Sequence, residues 1–489
     1  MIATGLIFFS ALAMSLLLTP GMIRLGARIG AVDRPDKRKV HTGTISRLGG
    51  AAIFLSFHLA LLLGFLFISW EGPLDLPGRQ LLFAAAGGLL IFGVGLIDDI
   101  RRLNYAVKFV GQILAASLAF WGGLQIEQAA PFGFQMHFGW FAYPLTVFWF
   151  LLIINAVNLS DGLDGLAGGI VFFVCLIMIF MLFYRGNPVI TAIFAALAGA
   201  VLGFLRYNFN PAAIFMGDGG SYFLGYTLAA AAVMCSAKSE MSALFLIPLI
   251  ALGIPLFDTL FSPIRRFVVG RGAFHPDKKH VHHRLLSMGL STRKAVLLIY
   301  GISILLGLLA IAMVTFRNEL RGPFLLVIGV VFFLFIKKLH FFEYVTIEKI
   351  YGWLSDVTDV SGISRGRRSF LGLELDIAAS GSLEELWRNI QRAVEVIHFD
   401  AAEFTLKKGG IELACWEWAR SVGDGEMVSD DILEVRLPLT GGSDDYMGLL
   451  LIRKDLKRSP LNPHTLRRVE HLRRAIKGVL ETFDGNMTP

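Results

Sequence analysis

Four stretches of this 489-residue chain carry side chains whose types and spacing suit divalent cations and phosphates. In GLIDDIRRLN, Asp98 and Asp99 place two adjacent carboxylates at the end of an apolar run. Such a pair can hold a cation, accept a proton or orient a nucleophile. The bland alternative is a solvated helix end neutralised by Arg101 and Arg102, yet ionisable residues at membrane depth are functional candidates by default. Lys108, about two turns further on, can snorkel to the interface or meet a lipid phosphate.

The segment NAVNLSDGLDGLAGG, residues 155–169, offers Asn155, Asn158, Asp161 and Asp164 among glycines. A spacing of three puts Asn155 and Asn158 on one helical face, and Asp161 and Asp164 continue it. Close helix packing explains the glycines but not four polar side chains on one stripe. The ligand spacing and the missing terminal Glu exclude an EF-hand loop. In FMGDGGSYFLGY, residues 215–226, Asp218 stands between glycines at a helix start. Backbone N–H groups there suit phosphate oxygens, and the carboxylate suits a hard cation; an ordinary turn and cap is the alternative. HPDKKHVHHRLLSMG, residues 275–289, gathers His280, His282 and His283 with Lys278, Lys279 and Arg284. Zinc would need further ligands and no cysteine is near. A basic loop facing acidic residues better suits a diphosphate whose remaining charge is bridged by Mg²⁺.

The elements that must position these groups are membrane helices. A mean hydropathy of +0.63, with 55% hydrophobic and 17% charged residues, does not suit a soluble globule. Apolar runs near the roughly 20 residues needed to cross hydrocarbon recur along residues 2–336. They predict about eleven spans, near 2–23, 49–70, 81–97, 106–123, 140–157, 166–184, 188–205, 220–236, 242–261, 295–316 and 322–336. The first lacks a basic start and a cleavage site and reads as an uncleaved span. Lys and Arg collect after the first and ninth spans, while 71–80 and 124–139 are nearly free of them. The positive-inside rule then places the basic loops in the cytoplasm, the N-terminus outside and the tail inside. That topology, set without the acids, puts all four motifs at the cytoplasmic face. Cys175, Cys235 and Cys415 form no CxxC or disulfide framework.

Together and in this order, the four motifs resemble the polyprenyl-phosphate N-acetylhexosamine-1-phosphate transferases of glycosyltransferase family 4. The resemblance covers roughly residues 1–340, including DRPDKRKVHTGTISRLGG at 33–50. HVHHR at 280–284 is similar to the aminosugar branch, whereas the sibling phospho-N-acetylmuramoyl-pentapeptide transferases carry three consecutive histidines. GTIS at 43–46 departs from the prolines common in the family before RLGG. The resemblance implies transfer of an N-acetylhexosamine 1-phosphate, most simply GlcNAc-1-phosphate, from a UDP-N-acetylhexosamine to undecaprenyl phosphate, with release of UMP. It implies Mg²⁺, with Mn²⁺ as substitute, on Asn158 and Asp218, and Asp98 and Asp99 as the pair acting on the lipid phosphate. It assigns substrate contacts to Lys108, Asn155, Asp161, Asp164, His280, His282, His283 and Arg284. The implied setting is a bacterial cytoplasmic (inner) membrane enzyme of cell-envelope polysaccharide synthesis, compatible with a homodimer.

Beyond residue 340 hydropathy falls. Residues 341–372 read as a linker and 373–489 as a soluble cytoplasmic α/β domain, GAF-like in order. A Ser382-capped helix runs to Ile397, followed by strands at 402–407, 411–416, 432–439 and 446–453 and a basic helix at 463–483. Its partner would be a small ligand or a protein; no nucleic-acid motif accompanies the basic helix. A transporter or receptor is the rival of another class, but it predicts acids near span centres and inverted repeats, and neither is present.

Overall fold

Backbone groups in hydrocarbon must be paired within their own segment, and the apolar runs accordingly become helices. The computed structural model describes residues 2–33, 44–67, 78–129, 136–185, 187–236, 246–268, 280–315, 322, 324, 326–330, 363–408, 411–419, 431–440, 446–456 and 465–481. The chain divides into two compact units, 1–262 with 277–341, and 263–276 with 342–489.

The first unit contains α1 (Ile2–Ile29), α2 (Gly49–Phe67), α3 (Gly78–Arg101), α4 (Tyr105–Trp121), α5 (Ala142–Ser160), α6 (Leu166–Arg185), α7 (Pro188–Asn208), α8 (Gly217–Ser236), α9 (Leu246–Ala251), α10 (Gly253–Val268) as far as Ser262, α11 (Val281–Ser287) and α12 (Thr292–Thr315). Among the described residues, α1, α2, α3, α5, α6, α7 and α12 contain segments long and apolar enough to cross a membrane. The chain is a polytopic α-helical membrane protein. Helices α7 and α8 form the interior: α7 packs on α1, α2 and α6, and α8 on α3, α5 and α2. Both are apolar on every side, and a run of small residues, Ala229–Ala232, lets neighbours close around α8.

Several expected spans differ in the structure. The third continues through Arg101, so Asp98 and Asp99 lie within a helix rather than after it. The ninth, expected over 242–261, breaks into α9 and α10 around Leu252; Pro255, in the first turn of α10, cannot donate to a preceding carbonyl. The apolar helix α4 is shorter than a full crossing at 17 residues. The expected 322–336 span lies mostly outside the described residues. Two short antiparallel pairs complete the unit, β1 (Val32–Asp33) with β2 (Ile45–Ser46) and β3 (Gln128–Ala129) with β4 (Met136–His137).

The second unit is a four-stranded antiparallel sheet with three helices. Strands β5 (Ala401–Lys408), β6 (Ile411–Ala419), β7 (Ile432–Thr440) and β8 (Tyr446–Asp455) lie in the order β6-β5-β8-β7. Alternate residues such as Ala402, Phe404 and Leu406 face a core shared with α13 (Ile363–Ala378), α14 (Leu383–Val396) and α15 (Thr465–Glu481). Ser382 caps α14 by accepting the Glu385 N–H at 3.2 Å, while the Glu385 carboxylate accepts the Gly381 N–H at 3.1 Å. Helix α13 begins at Ile363, inside the stretch read as linker. Phe370 and Ile377 are buried in the shared core, so this segment is part of the packing.

Candidate active site

The acidic core forms where the end of α3 meets the starts of α4 and α8. Adjacent residues on a helix diverge by about 100°, so Asp98 and Asp99 face different neighbours. Asp98 accepts the Leu103 N–H at 2.5 Å and the Lys108 ammonium at 3.1 Å. The turn that makes this possible places Arg102 at φ 49° and caps α4 with Asn104, whose side chain accepts the Ala106 N–H at 3.2 Å. Lys108 therefore does not snorkel outward. It bridges Asp98 and Asp218 with 3.1 Å contacts to each.

Asp99 turns to α8 and accepts the backbone N–H groups of Asp218 at 2.8 Å and Gly219 at 2.9 Å. It caps that helix from another helix, supplying partners for two of its orphan donors. The close approach depends on glycine: a Cβ on Gly95 would come within 2.5 Å of the Gly219 backbone. From the other side, the Gly49 and Gly50 N–H groups donate to the Phe215 and Met216 carbonyls at 3.0 and 2.8 Å. Phe215 N–H in turn donates to Ser46 at 2.8 Å. The RLGG stretch thus docks the start of α2 onto the loop carrying Asp218.

Asp218 is the meeting point. Its Oδ1 accepts from Asn158 Nδ2 at 3.1 Å, and its Oδ2 accepts from Lys108 and from Tyr222 Oη, each at 3.1 Å. Asn158 also donates to Ser221 Oγ at 2.9 Å. Helix α5 ends at Ser160, so Asp161 and Asp164 leave the stripe begun by Asn155 and Asn158. Asp161 remains electrostatically close to Asp218 and Asp99. Desolvation, reinforced by those two carboxylates, holds its carboxyl well above the usual range. Asp98, Asp99 and Asp218, with Asp161 nearby, thus cluster around a single ammonium in hydrogen-bond contact among the described residues, that of Lys108. Carboxylate oxygens of this kind suit a divalent cation.

The histidine segment forms α11, with His280 at its N-cap. His280 and His282 are buried and stack at 5.8 Å between ring centroids, and His282 lies 4.5 Å from the His283 ring. Gly162 makes room for this segment, since a Cβ there would come within 2.6 Å of His282 Nε2. Burial, and secondarily the neighbouring imidazoles, push His282 down to about 3. Burial thus favours its neutral form, which offers one ring nitrogen as donor and the other as acceptor. Lys278 and Lys279 lie outside the described residues.

Residues 81–236 match the model of glycosyl transferase family 4. The chain is 38% identical over 315 residues to a probable undecaprenyl-phosphate N-acetylglucosaminyl 1-phosphate transferase of Bacillus subtilis, covering 64% of this chain and 86% of that protein. This chain belongs to glycosyl transferase family 4. It is also 35% identical over 314 residues to a decaprenyl-phosphate N-acetylglucosaminephosphotransferase of Mycobacterium tuberculosis, covering 56% and 74% of the two chains. Identity to an undecaprenyl-phosphate alpha-N-acetylglucosaminyl 1-phosphate transferase of Thermotoga maritima is 31% over 283 residues, or 58% and 81%.

Within this family 4 fold, Asp98, Asp99, Lys108, Asn158, Asp161 and Asp218 come together as the sequence predicts. Asn155 and Asp164 do not join them through hydrogen bonds. Asn155 exchanges bonds with Gln112, donating at 2.7 Å and accepting at 3.4 Å. Asp164 accepts from Asn210 Nδ2 at 2.9 Å and Ala212 N–H at 3.1 Å, tying down the connection between α7 and α8. Both side chains brace neighbouring segments. Gln112, Tyr222 and Ser221 were not singled out by the sequence. Tyr222 and Ser221 sit inside the SYFLGY continuation of the Asp218 motif, where position alone could have flagged them.

Proposed function

We propose that this protein transfers GlcNAc 1-phosphate from UDP-GlcNAc to undecaprenyl phosphate, releasing UMP, at the cytoplasmic face of a bacterial inner membrane. The observation that carries the reading is the junction of Asp98, Lys108, Asn158 and Asp218 at one end of an apolar bundle. A soluble nucleotide sugar and a lipid phosphate can meet only at such an interface. In the reaction an oxygen of the lipid phosphate attacks the sugar-bearing phosphorus. A new P–O–P link forms, the bond to the UMP oxygen breaks, and UMP leaves with its electron pair. Phosphoryl transfer of this kind needs positioning and charge neutralisation more than covalent help.

Asp218 and Asn158 would hold Mg²⁺, or Mn²⁺ in its place, with Asp161 close by as a further oxygen donor. A bound divalent cation would neutralise diphosphate charge and stabilise the leaving UMP. Lys108 supplies a fixed positive charge beside the same carboxylates and meets incoming phosphate oxygens as a point charge. Asp98, on the Lys108 side of α3, orients the lipid phosphate. The relatives named for undecaprenyl- and decaprenyl-phosphate GlcNAc transfer support the donor and acceptor classes. About eleven crossings, the positive-inside orientation and a GAF-like tail complete the proposal.

The deciding experiment measures UMP release by the purified chain with undecaprenyl phosphate and a panel of UDP-N-acetylhexosamines, with and without Mg²⁺. UDP-GlcNAc should be preferred, and chelation should stop turnover. Equal use of every donor would remove the sugar assignment. Full turnover in chelator would remove the metal.

A further inference from the structure

Asp258 belongs to none of the motifs and none of the roles above. It is buried on α10, beyond the break near Leu252. Its two oxygens face the histidine segment. Oδ2 accepts the Val281 N–H, the first residue of α11, at 3.1 Å. Oδ1 lies 3.3 Å from His280 Nδ1, off the line of a hydrogen bond, and neither atom has a hydrogen-bond partner among the described residues. An interior carboxylate oxygen is costly unless something polar faces it. Here the Nδ1 edge of one imidazole does so, and that imidazole stacks on His282, which in turn abuts Gly162 beside Asp161.

We infer that Asp258 is a positioning residue: it anchors the start of α11 with one oxygen and, with the other, fixes His280 as the Nδ1-protonated tautomer in a single ring orientation. A carboxylate behind a histidine does this elsewhere by accepting from one ring nitrogen, which leaves the other as the functional edge. The inference rests on the transferase reading in one respect, that the histidine segment serves turnover of a nucleotide sugar.

The test uses the full-length protein with UDP-GlcNAc, Mg²⁺ and undecaprenyl phosphate. Asp258→Asn keeps an acceptor for Val281 but loses the carboxylate. Its kcat should fall roughly ten- to a hundredfold, the range that loss of an orienting group behind a histidine costs, while KM for the lipid stays put. In a His280→Ala background the same change should cost nothing further. Losses that multiply, or an unchanged kcat in Asp258→Asn, would overturn the inference. A nitrogen-15 histidine spectrum of the wild-type protein, with His280 assigned by its absence in His280→Ala, needs neither turnover nor a stable Asp258 variant. Protonation at Nδ1 supports the inference, and protonation at Nε2 alone refutes it. Wild-type protein that releases no UMP, yet shows the Nδ1 tautomer, would sink the transferase reading and leave the positioning role standing.

Discussion

At the starts of α8 and α11, a buried aspartate from another helix accepts backbone N–H groups. Asp99 takes those of Asp218 and Gly219, and Asp258 takes that of Val281. Around α8 the result is a charged junction, with an ammonium held between two carboxylates. Around α11 two buried imidazoles stack, His280 on His282, and burial holds His282 in its neutral form. Both motifs look ionic in sequence. Residue type thus sets the chemistry available, and at His282 burial decides which part of it survives.

The largest expected effect tests the charged side. Asp218→Asn should lower UMP release by about a thousandfold, the scale of removing a group aimed at transition-state charge. Near-full activity in a folded variant would take Asp218 out of the site. Next come the two neighbouring aspartates, compared by kcat in paired variants. If Asp99 acts as a cap, Asp99→Asn, which still offers one acceptor, should be several-fold more active than Asp99→Ala, since a lost cap costs about 1 kcal/mol. For Asp98 the two replacements should be similarly poor, because each removes the charge that faces Lys108. Equal losses at Asp99 would contradict the cap.

On the neutral side, Gly162→Ala should press a methyl group into His282 and cost about 1–3 kcal/mol, read as a lower melting temperature together with weakened activity. An unchanged melting temperature would mean that the histidine segment is free to move aside. The smallest effect on turnover belongs to the second unit. Leu386→Ala, a fully buried core position, should destabilise that unit by about 2–5 kcal/mol, followed by the fluorescence of Trp387, Trp416 and Trp418. UMP release should stay at the wild-type rate below that transition. A parallel loss of activity would tie the tail to catalysis.

Much of this was legible because the bilayer imposes few solutions. Apolar length gave the helices, and the acidic motifs fell at their ends. The strands of the second unit followed from period-two alternation, with ends within a few residues of those observed. What stayed hidden depends on distant partners. Asp164 has the spacing of a ligand, but its Oδ2 accepts from Asn210 and Ala212, far away in sequence. Asp258 sits alone in an apolar run, and only the fold brings it to His280. The start of α13 inside the stretch read as linker was masked by its Arg-rich composition, and only the fold shows Phe370 buried in the core of the second unit. The break at Leu252 was hidden for another reason, since hydropathy averages across a short interruption.

The clamp on Asp218 has a mechanical consequence. Its backbone is tied to α3 by Asp99, and the loop just before it is tied to the start of α2 by Gly49 and Gly50. Its Cα can yield little when two phosphates of different size and charge arrive. In the proposed transfer, accommodation then falls to the long, rotatable stem of Lys108, which carries the only ammonium in hydrogen-bond contact with the cluster among the described residues. On that proposal the site is a socket with one adjustable pin, and how far the pin can swing would set its tolerance for different phosphates.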